Sequence, residues 1–293
     1  MKLSPLLQWK ENGGIFMQWA NVLKEFKSYL IRDERETATV QKYVRDAEEF
    51  LHWLDRRDLT KEQAVAWKEI LTKKQYAPIT VNGKLAAINK LCLFLEKPEC
   101  RVKYLKIQHR MFRNTERELT KEEYIRLLET AQGLGKERLA LLIESICATG
   151  IRVSEVKYLT VEAVEKGCAE ISLKGKIRTI LIPGKLRRKL LKYAKKQKIA
   201  SGEIFLTKSG KGISRRQIWA EMKALCIRAT VPPSKVFPHN LRHLFARTFY
   251  KVYRDIVRLA GILGHASIET TRIYLMSTGT EYVKQIARLE LIS

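Results

Sequence analysis

The sequence is poor in the residues that build metal centres and disulfide frameworks. Its 293 residues hold five cysteines, Cys92, Cys100, Cys147, Cys168 and Cys226, and no two stand in a C-x-x-C pair. Neither a zinc site nor a disulfide-stapled scaffold is indicated, and free thiols suit a reducing cytoplasm. No apolar run reaches the length of a membrane span. Met1 to Phe16 contains Lys10, Glu11 and the pair Gly13-Gly14, which do not make a secretory signal. Residues 1–16 are read as a leader without regular structure. There is also no glycine-rich loop of the kind that cradles a nucleotide, and no cysteine set up as a nucleophile.

Acidic residues are scarce beside basic ones. Asp and Glu number 31 against 56 Lys and Arg, a net charge of +25 with a pI near 9.9. Such an excess points to a polyanionic partner; the plainer alternative is a merely soluble basic surface. Its placement is uneven. Residues 1–50 hold 8 basic and 8 acidic residues, whereas residues 151–250 hold 23 basic and 6 acidic, so +17 of the +25 lies there. A hydrophobic content of 45% supports real cores, and the length suggests two domains.

Apolar residues recur at helical spacing from Trp19 to Leu30 through Val22, Leu23 and Phe26. Thr37 is placed to cap a second helix running to about Trp53. Thr60 with Gln63 signals a capping box for a third, through Leu71. Pro78 and Thr80 open a fourth, which Pro98 ends. These four make a bundle over residues 17–97, with Lys73, Lys74, Lys84 and Lys90 expected on its outer face. Residues 98–118 lack a long apolar period and hold Arg101, Lys103, Lys106, Arg110, Arg113 and Arg117, which reads as a basic linker.

The second domain, residues 119–280, opens with Thr120 and Glu123 as a capping box for helices over 120–132 and 136–148. Gly150 stops the second of these, Arg152 lies just past it, and Ser154 and Glu155 start a short helix. Residues 169–183 have strand character around Gly175, which marks a hairpin. Lys185 to Lys198 is a basic helix. Ser214 caps a helix through Arg228, whose Arg215 and Arg216 are placed to meet phosphate. A helix from His239 to about Tyr250 buries Leu241, Leu244 and Phe245, with His239 and Arg242 off the apolar side. Another runs from Asp255 to Leu263, a third begins near Ser267 and carries Tyr274, and residues 281–293 form a short amphipathic tail.

Residues three apart share a helix face, so His239 and Arg242 can converge on one small anion. Fixed cations, imidazoles and a tyrosine suit attack on a phosphodiester and stabilisation of the phosphorane that results. Three strings carry this pattern. Ala148-Thr149-Gly150-Ile151-Arg152-Val153-Ser154-Glu155 resembles the T-G-x-R-x-S-E box of the tyrosine recombinase (phage integrase) family. His239-Asn240-Leu241-Arg242-His243 resembles its H-x-L-R-H box. Leu263-Gly264-His265-Ala266-Ser267-Ile268-Glu269-Thr270-Thr271-Arg272-Ile273-Tyr274 resembles its L-G-H-x-x-x-x-T-T-x-x-Y box. The order and spacing match, the resemblance covers most of the chain, and the layout is most like Xer recombinases and simple integrases of mobile elements.

The resemblance implies a mainly α fold with a small β-hairpin: an N-terminal helical, SAM-like core-binding bundle and a mixed α/β catalytic domain. It implies a site-specific recombinase acting through a 3′-phosphotyrosyl intermediate and a four-way junction, without metal or cofactor. Tyr274 would be the nucleophile, with Tyr282 as the nearest rival. Arg152, Arg242 and His265 would hold the phosphate, and His239 would move the nucleophile's proton. Glu155 and His243 would support. Lys174 would protonate the leaving oxygen, with Lys176 as the rival because this turn is shorter than the family's G-K-G-x-K-x-R form. Lys73, Lys74, Lys84, Lys90, Arg110, Arg113, Arg215 and Arg216 would contact DNA. The expected partner is double-stranded DNA with inverted-repeat core sites, bound by a homotetramer, or a heterotetramer with a paralogue, in a prokaryotic nucleoid. The tail would dock on the next protomer. A type IB topoisomerase and a catalytically inactive DNA-binding regulator are the alternative readings.

Overall fold

The computed structural model describes residues 15–55, 57–107, 116–173, 176–265, 267–275 and 287–289. The described residues are mainly helical, with one two-stranded antiparallel sheet. The chain divides into two units, residues 1–109 and 110–293, each with its own core. No helix among the described residues is long and apolar enough to cross a membrane.

The first unit comprises α1 (Ile15–Arg32), α2 (Thr37–Leu54), α3 (Lys61–Lys73) and α4 (Pro78–Phe94). Val22, Phe26 and Leu30 fall every four residues along α1. They join Phe50 and Leu54, Trp67 and Leu71, and Leu85, Ile88 and Leu91 in one core. Pro78 sits in the first turn of α4, where its missing N–H costs nothing. Thr37 does not cap α2. Glu36 holds that position and no side chain caps the helix; this end is exposed, so water can satisfy its first N–H groups. Thr60 does accept from the Gln63 amide, but Gln63 Oε1 is buried without a return bond, so only half the box forms.

Two expectations about this unit's basic residues are corrected. Lys73 and Lys74 are exposed, but the Lys84 and Lys90 side chains are only 14% and 18% exposed. Lys84 pairs with Glu49 and with the buried Asp46, and Lys90 pairs with Asp33. A buried carboxylate requires such partners. The linker also starts later than expected. Asn89 exchanges two hydrogen bonds with the Val102 backbone, at 2.9 and 2.8 Å. Asn82, two turns earlier on α4, does the same with Leu105. Each side-chain amide thus stands in for a neighbouring strand's peptide. Cys100 and Val102 enter the first core, and residues 98–105 belong to the bundle. Arg110 and Arg113 lie outside the described residues.

In the second unit, α5 (Lys121–Gly133) opens on the expected Thr120–Glu123 capping box. The next helix, α6 (Glu137–Thr149), closes on Gly150 at φ +65°. A side chain there would also strike the Phe245 ring. A 3₁₀ turn (Val153–Tyr158) and α7 (Val161–Lys166) lead into β1 (Cys168–Leu173) and β2 (Lys176–Leu181). These pair antiparallel in a register from Cys168↔Leu181 to Leu173↔Lys176. Ala169, Ile171 and Ile180 face the core, while Glu170 and Leu181 are exposed, the alternation of a half-buried hairpin.

The basic helix α8 (Gly184–Lys196) buries Leu186, Leu190, Tyr193 and Ala194. Part of its charge is spent on α6, through Lys189–Glu144 and Lys196–Glu137 pairs. Ser214 forms a full capping box with Gln217 at α9 (Arg215–Lys223). That helix ends at Lys223 rather than Arg228, and successive turns carry the chain on to Thr230. Last come α10 (Pro238–Tyr253), α11 (Ile256–Leu263), α12 (Ile268–Arg272) and a 3₁₀ turn over Ile273–Leu275. Between α10 and α11, where no glycine is present, Arg254 adopts the left-handed conformation at φ +54°.

Candidate active site

The cleft forms where four chain segments meet in the second unit. The end of α6 delivers Arg152, the first turns of α10 deliver His239 and Arg242, and the turn after α11 delivers His265. The 3₁₀ turn after α12 brings Tyr274. These five line one cleft of about 350 Å³.

Arg242 is the centre, and it is not off the apolar side as the helical wheel suggested. Only 2% of it is exposed. It is tolerated there because three of its five N–H donors meet fixed acceptors. They reach the Gly150 carbonyl, the Leu263 carbonyl at 2.6 Å and His265 Nε2 at 2.9 Å. Burial, with Arg152 and Arg178 nearby, lowers its pKa to about 10, so it stays cationic at neutral pH.

His265 is held from both sides. A guanidinium can only donate, so Nε2 accepts from Arg242. The proton therefore sits on Nδ1, which lies 2.8 Å from Thr271 Oγ1 and donates to it. Burial first, then Arg242, Arg152 and Arg178, push the His265 pKa down to about 4. Burial, Arg242 and Arg152 also lower His239. Both imidazoles are neutral in the free protein at neutral pH.

Arg152 is steered by Glu155. The carboxylate is only 2% exposed; it accepts from Arg152 Nη1 at 2.8 Å through one oxygen and from the Arg152 backbone N–H at 2.8 Å through the other. Arg178 donates to that second oxygen at 2.6 Å. Burial alone would raise the Glu155 pKa, but the bonds from Arg152 and the charges of Arg178 and Arg152 outweigh it and hold it below the ordinary range. Arg152 Nη2 continues to the Gly264 carbonyl at 3.1 Å.

Tyr274 is 5% exposed and packs with Ala246, Leu259 and Leu263. Its ring stacks on His265 with centroids 5.7 Å apart and meets His243 edge-on at 4.4 Å. His243 in turn meets His239 at 4.4 Å. His243 thus stands between the first imidazole of its box and the tyrosine, half-buried.

Lys174 lies outside the described residues. Lys176 opens β2, its backbone paired with Leu173. Arg215 and Arg216 are exposed at the start of α9, away from the cleft's lining. Tyr282 lies outside the described residues. Among the described residues no cluster of three His, Cys, Asp or Glu could hold a metal ion.

Three supporting residues escaped the sequence reading. Thr271 sits in the third box but was not singled out. Asn240, between His239 and the rest of its box, is buried and donates to the Arg117 and Lys235 carbonyls at 2.6 and 2.7 Å, which ties the start of α10 to the start of the unit. Arg178 was one basic residue among many.

Known proteins resemble this chain along most of its length. Residues 117–281 match the model of the phage integrase family, and residues 23–98 match its N-terminal SAM-like domain. The tyrosine recombinase XerA of Pyrococcus furiosus is 29% identical over 282 residues, covering 93% of this chain and 95% of that one. The tyrosine recombinase XerC of Herpetosiphon aurantiacus is 29% identical over 297 residues, covering 89% and 92%. Among solved structures, a lambda integrase dimer bound to a COC′ core site superposes with a TM-score of 0.70 at 15% identity, covering 89% of this chain and 96% of that one. The XerH site-specific recombinase bound to its difH substrate superposes with a TM-score of 0.65 at 21% identity, covering 84% and 79%. The structural likenesses establish the fold, and the matched segments reach across both units: the chain belongs to the phage integrase family.

Proposed function

We propose that this chain is a site-specific DNA recombinase of the tyrosine class, with Tyr274 as its nucleophile. The observation that supports this best is the convergence of Tyr274, two arginines and two neutral imidazoles in one cleft. The Tyr274 oxygen attacks a backbone phosphorus and the bond to the 5′ oxygen breaks, leaving a 3′-phosphotyrosyl link and a free 5′ hydroxyl. Arg152 and Arg242 face the non-bridging oxygens and stabilise the charge of the phosphorane. A phosphate between them offsets the local positive potential, which raises the His265 pKa and lets Nε2 become a third donor. His239, neutral, accepts the tyrosine proton. Lys174 is assigned the proton for the leaving oxygen on the resemblance alone. A partner strand's 5′ hydroxyl reverses the steps, so the energy of the broken bond is kept in the protein–DNA link.

The partner is double-stranded DNA, as the basic second unit and the DNA complexes of the XerH and lambda integrase neighbours support. The exposed Lys73, Lys74, Arg215 and Arg216 are free to reach phosphates, whereas Lys84 and Lys90 must first give up carboxylate partners. Tetramer assembly on paired inverted repeats, with residues 281–293 docking on a neighbour, completes the proposal.

The test is trapping of a covalent complex with denaturant on DNA carrying the site. Tyr274→Phe should bind DNA normally and form no adduct, since only the attacking oxygen is lost. Adduct at wild-type level in that variant would move the nucleophile elsewhere, with Tyr282 next to examine.

A further inference from the structure

Arg178 stands where a strand should carry an apolar side chain. It is the cross-strand partner of the buried Ile171 and lies two residues from the buried Ile180, so it belongs to the core-facing register of the hairpin. Its side chain is 11% exposed. A charge so placed persists only if its donors are matched, and they are. One nitrogen reaches Glu155 at 2.6 Å, and two others reach the Ile262 carbonyl at 2.9 and 3.3 Å.

The C-terminal end of α11 shows what this achieves. Its last carbonyls are taken in sequence by three arginines: Ile262 by Arg178, Leu263 by Arg242 and Gly264 by Arg152. The negative end of the helix dipole favours all three. Gly264 completes the device. Its φ of +63° suits glycine, and a side chain there would collide with Arg178 Cδ and Nε. Arg178 does not line the cleft. It touches the residues that do, through Glu155 and through the turn that presents His265.

We propose that Arg178 is a positioning residue for strand cleavage: through Glu155 and the Ile262 carbonyl it fixes Arg152 and His265 against the scissile phosphate. The inference rests on the reading of the cleft given above. Without Arg178, the Glu155 carboxylate keeps Arg152 but loses its second anchor, and the last turn of α11 loses one of its three clamps.

The test is single-turnover adduct formation at saturating DNA, with Arg178→Met and Arg178→Lys. The Met variant should bind DNA as the wild type does and cleave on the order of 10- to 100-fold more slowly, the usual effect of removing a group that orients others. The Lys variant should fall between, because an ammonium can pair with Glu155 but lacks the fork that also spans Ile262. A substrate with sulfur at the bridging 5′ position needs little leaving-group protonation; it should rescue Lys174→Ala and leave the Arg178 variants slow. Near wild-type cleavage by the Met variant overturns the inference. So does rescue of the Arg178 variants by sulfur, which would route the effect through the hairpin lysine. If the Met variant does not fold, the Lys variant carries the test: slowed cleavage with unchanged affinity supports the inference, and wild-type cleavage overturns it. Tyr274→Phe run alongside separates the two failures. Adduct in that variant, or none in the wild type, overturns the reading of the cleft; a fully active Arg178 variant overturns only this inference.

Discussion

His265 shows what one residue's surroundings decide. Its ordinary pKa is 6.5, and in the folded protein it falls to about 4. The unfolded chain therefore takes the proton first. The stability that depends on a neutral His265 is fully present above pH 6.5 and is lost as pH falls toward 4. In the free protein the imidazole should stay in the Nδ1–H form down to about pH 4, and with DNA bound it should titrate at higher pH. Ring nitrogen shifts in NMR would read both; an unchanged pKa on binding would mean that no phosphate approaches Nε2. Much at this scale was legible in the sequence, because the chemistry demands particular side chains at fixed spacing: Arg152, His239, Arg242, His265 and Tyr274 all meet. Their settings were not legible. An arginine on a helix is read as solvated unless one knows that two carbonyls and an imidazole stand ready to receive it. Arg178 was hidden for the opposite reason, as one cation in a strongly basic stretch.

At the scale of elements, periodicity and punctuation placed the helices and the hairpin. Helix ends were read well where a side chain makes the cap, at Thr120 and Ser214, and less well where water does, at Thr37. The end of α9 was misjudged because nothing in residues 224–228 is a breaker. The bundle's boundary was misjudged for a different reason. Asparagines on a helix read as exposed polar residues, yet Asn82 and Asn89 act as substitute peptides for a segment with no period of its own. Asn89→Ala leaves the buried N–H and C=O of Val102 without partners. At about 1–3 kcal/mol for each buried unsatisfied group, it should cost the first unit roughly 2–6 kcal/mol. Hydrogen exchange at Val102 is the measurement: slow in the wild type, fast in the variant. Equal protection in both would mean that the segment is held by its apolar contacts alone.

At the scale of the whole molecule, the charge asymmetry and the two-part layout were plain from composition and pattern. What composition could not divide was charge free for a partner from charge already spent inside, as with Lys84, Lys90 and Lys189. Enough is left for DNA affinity to depend strongly on salt. If six phosphates are neutralised, counterion release alone lowers affinity roughly 10³-fold between 50 and 200 mM. Fluorescence anisotropy with a labelled duplex would show it; a nearly flat response would count against these charges as the DNA-binding surface. A last consequence comes from Tyr274, which is buried against His265 and His243 of its own chain. A subunit that holds both its blade and its grip cannot be disarmed by withholding either. In the proposed assembly, neighbours would have nothing to lend for the cut itself. Their part would lie in bringing two duplexes together, not in completing the cleft.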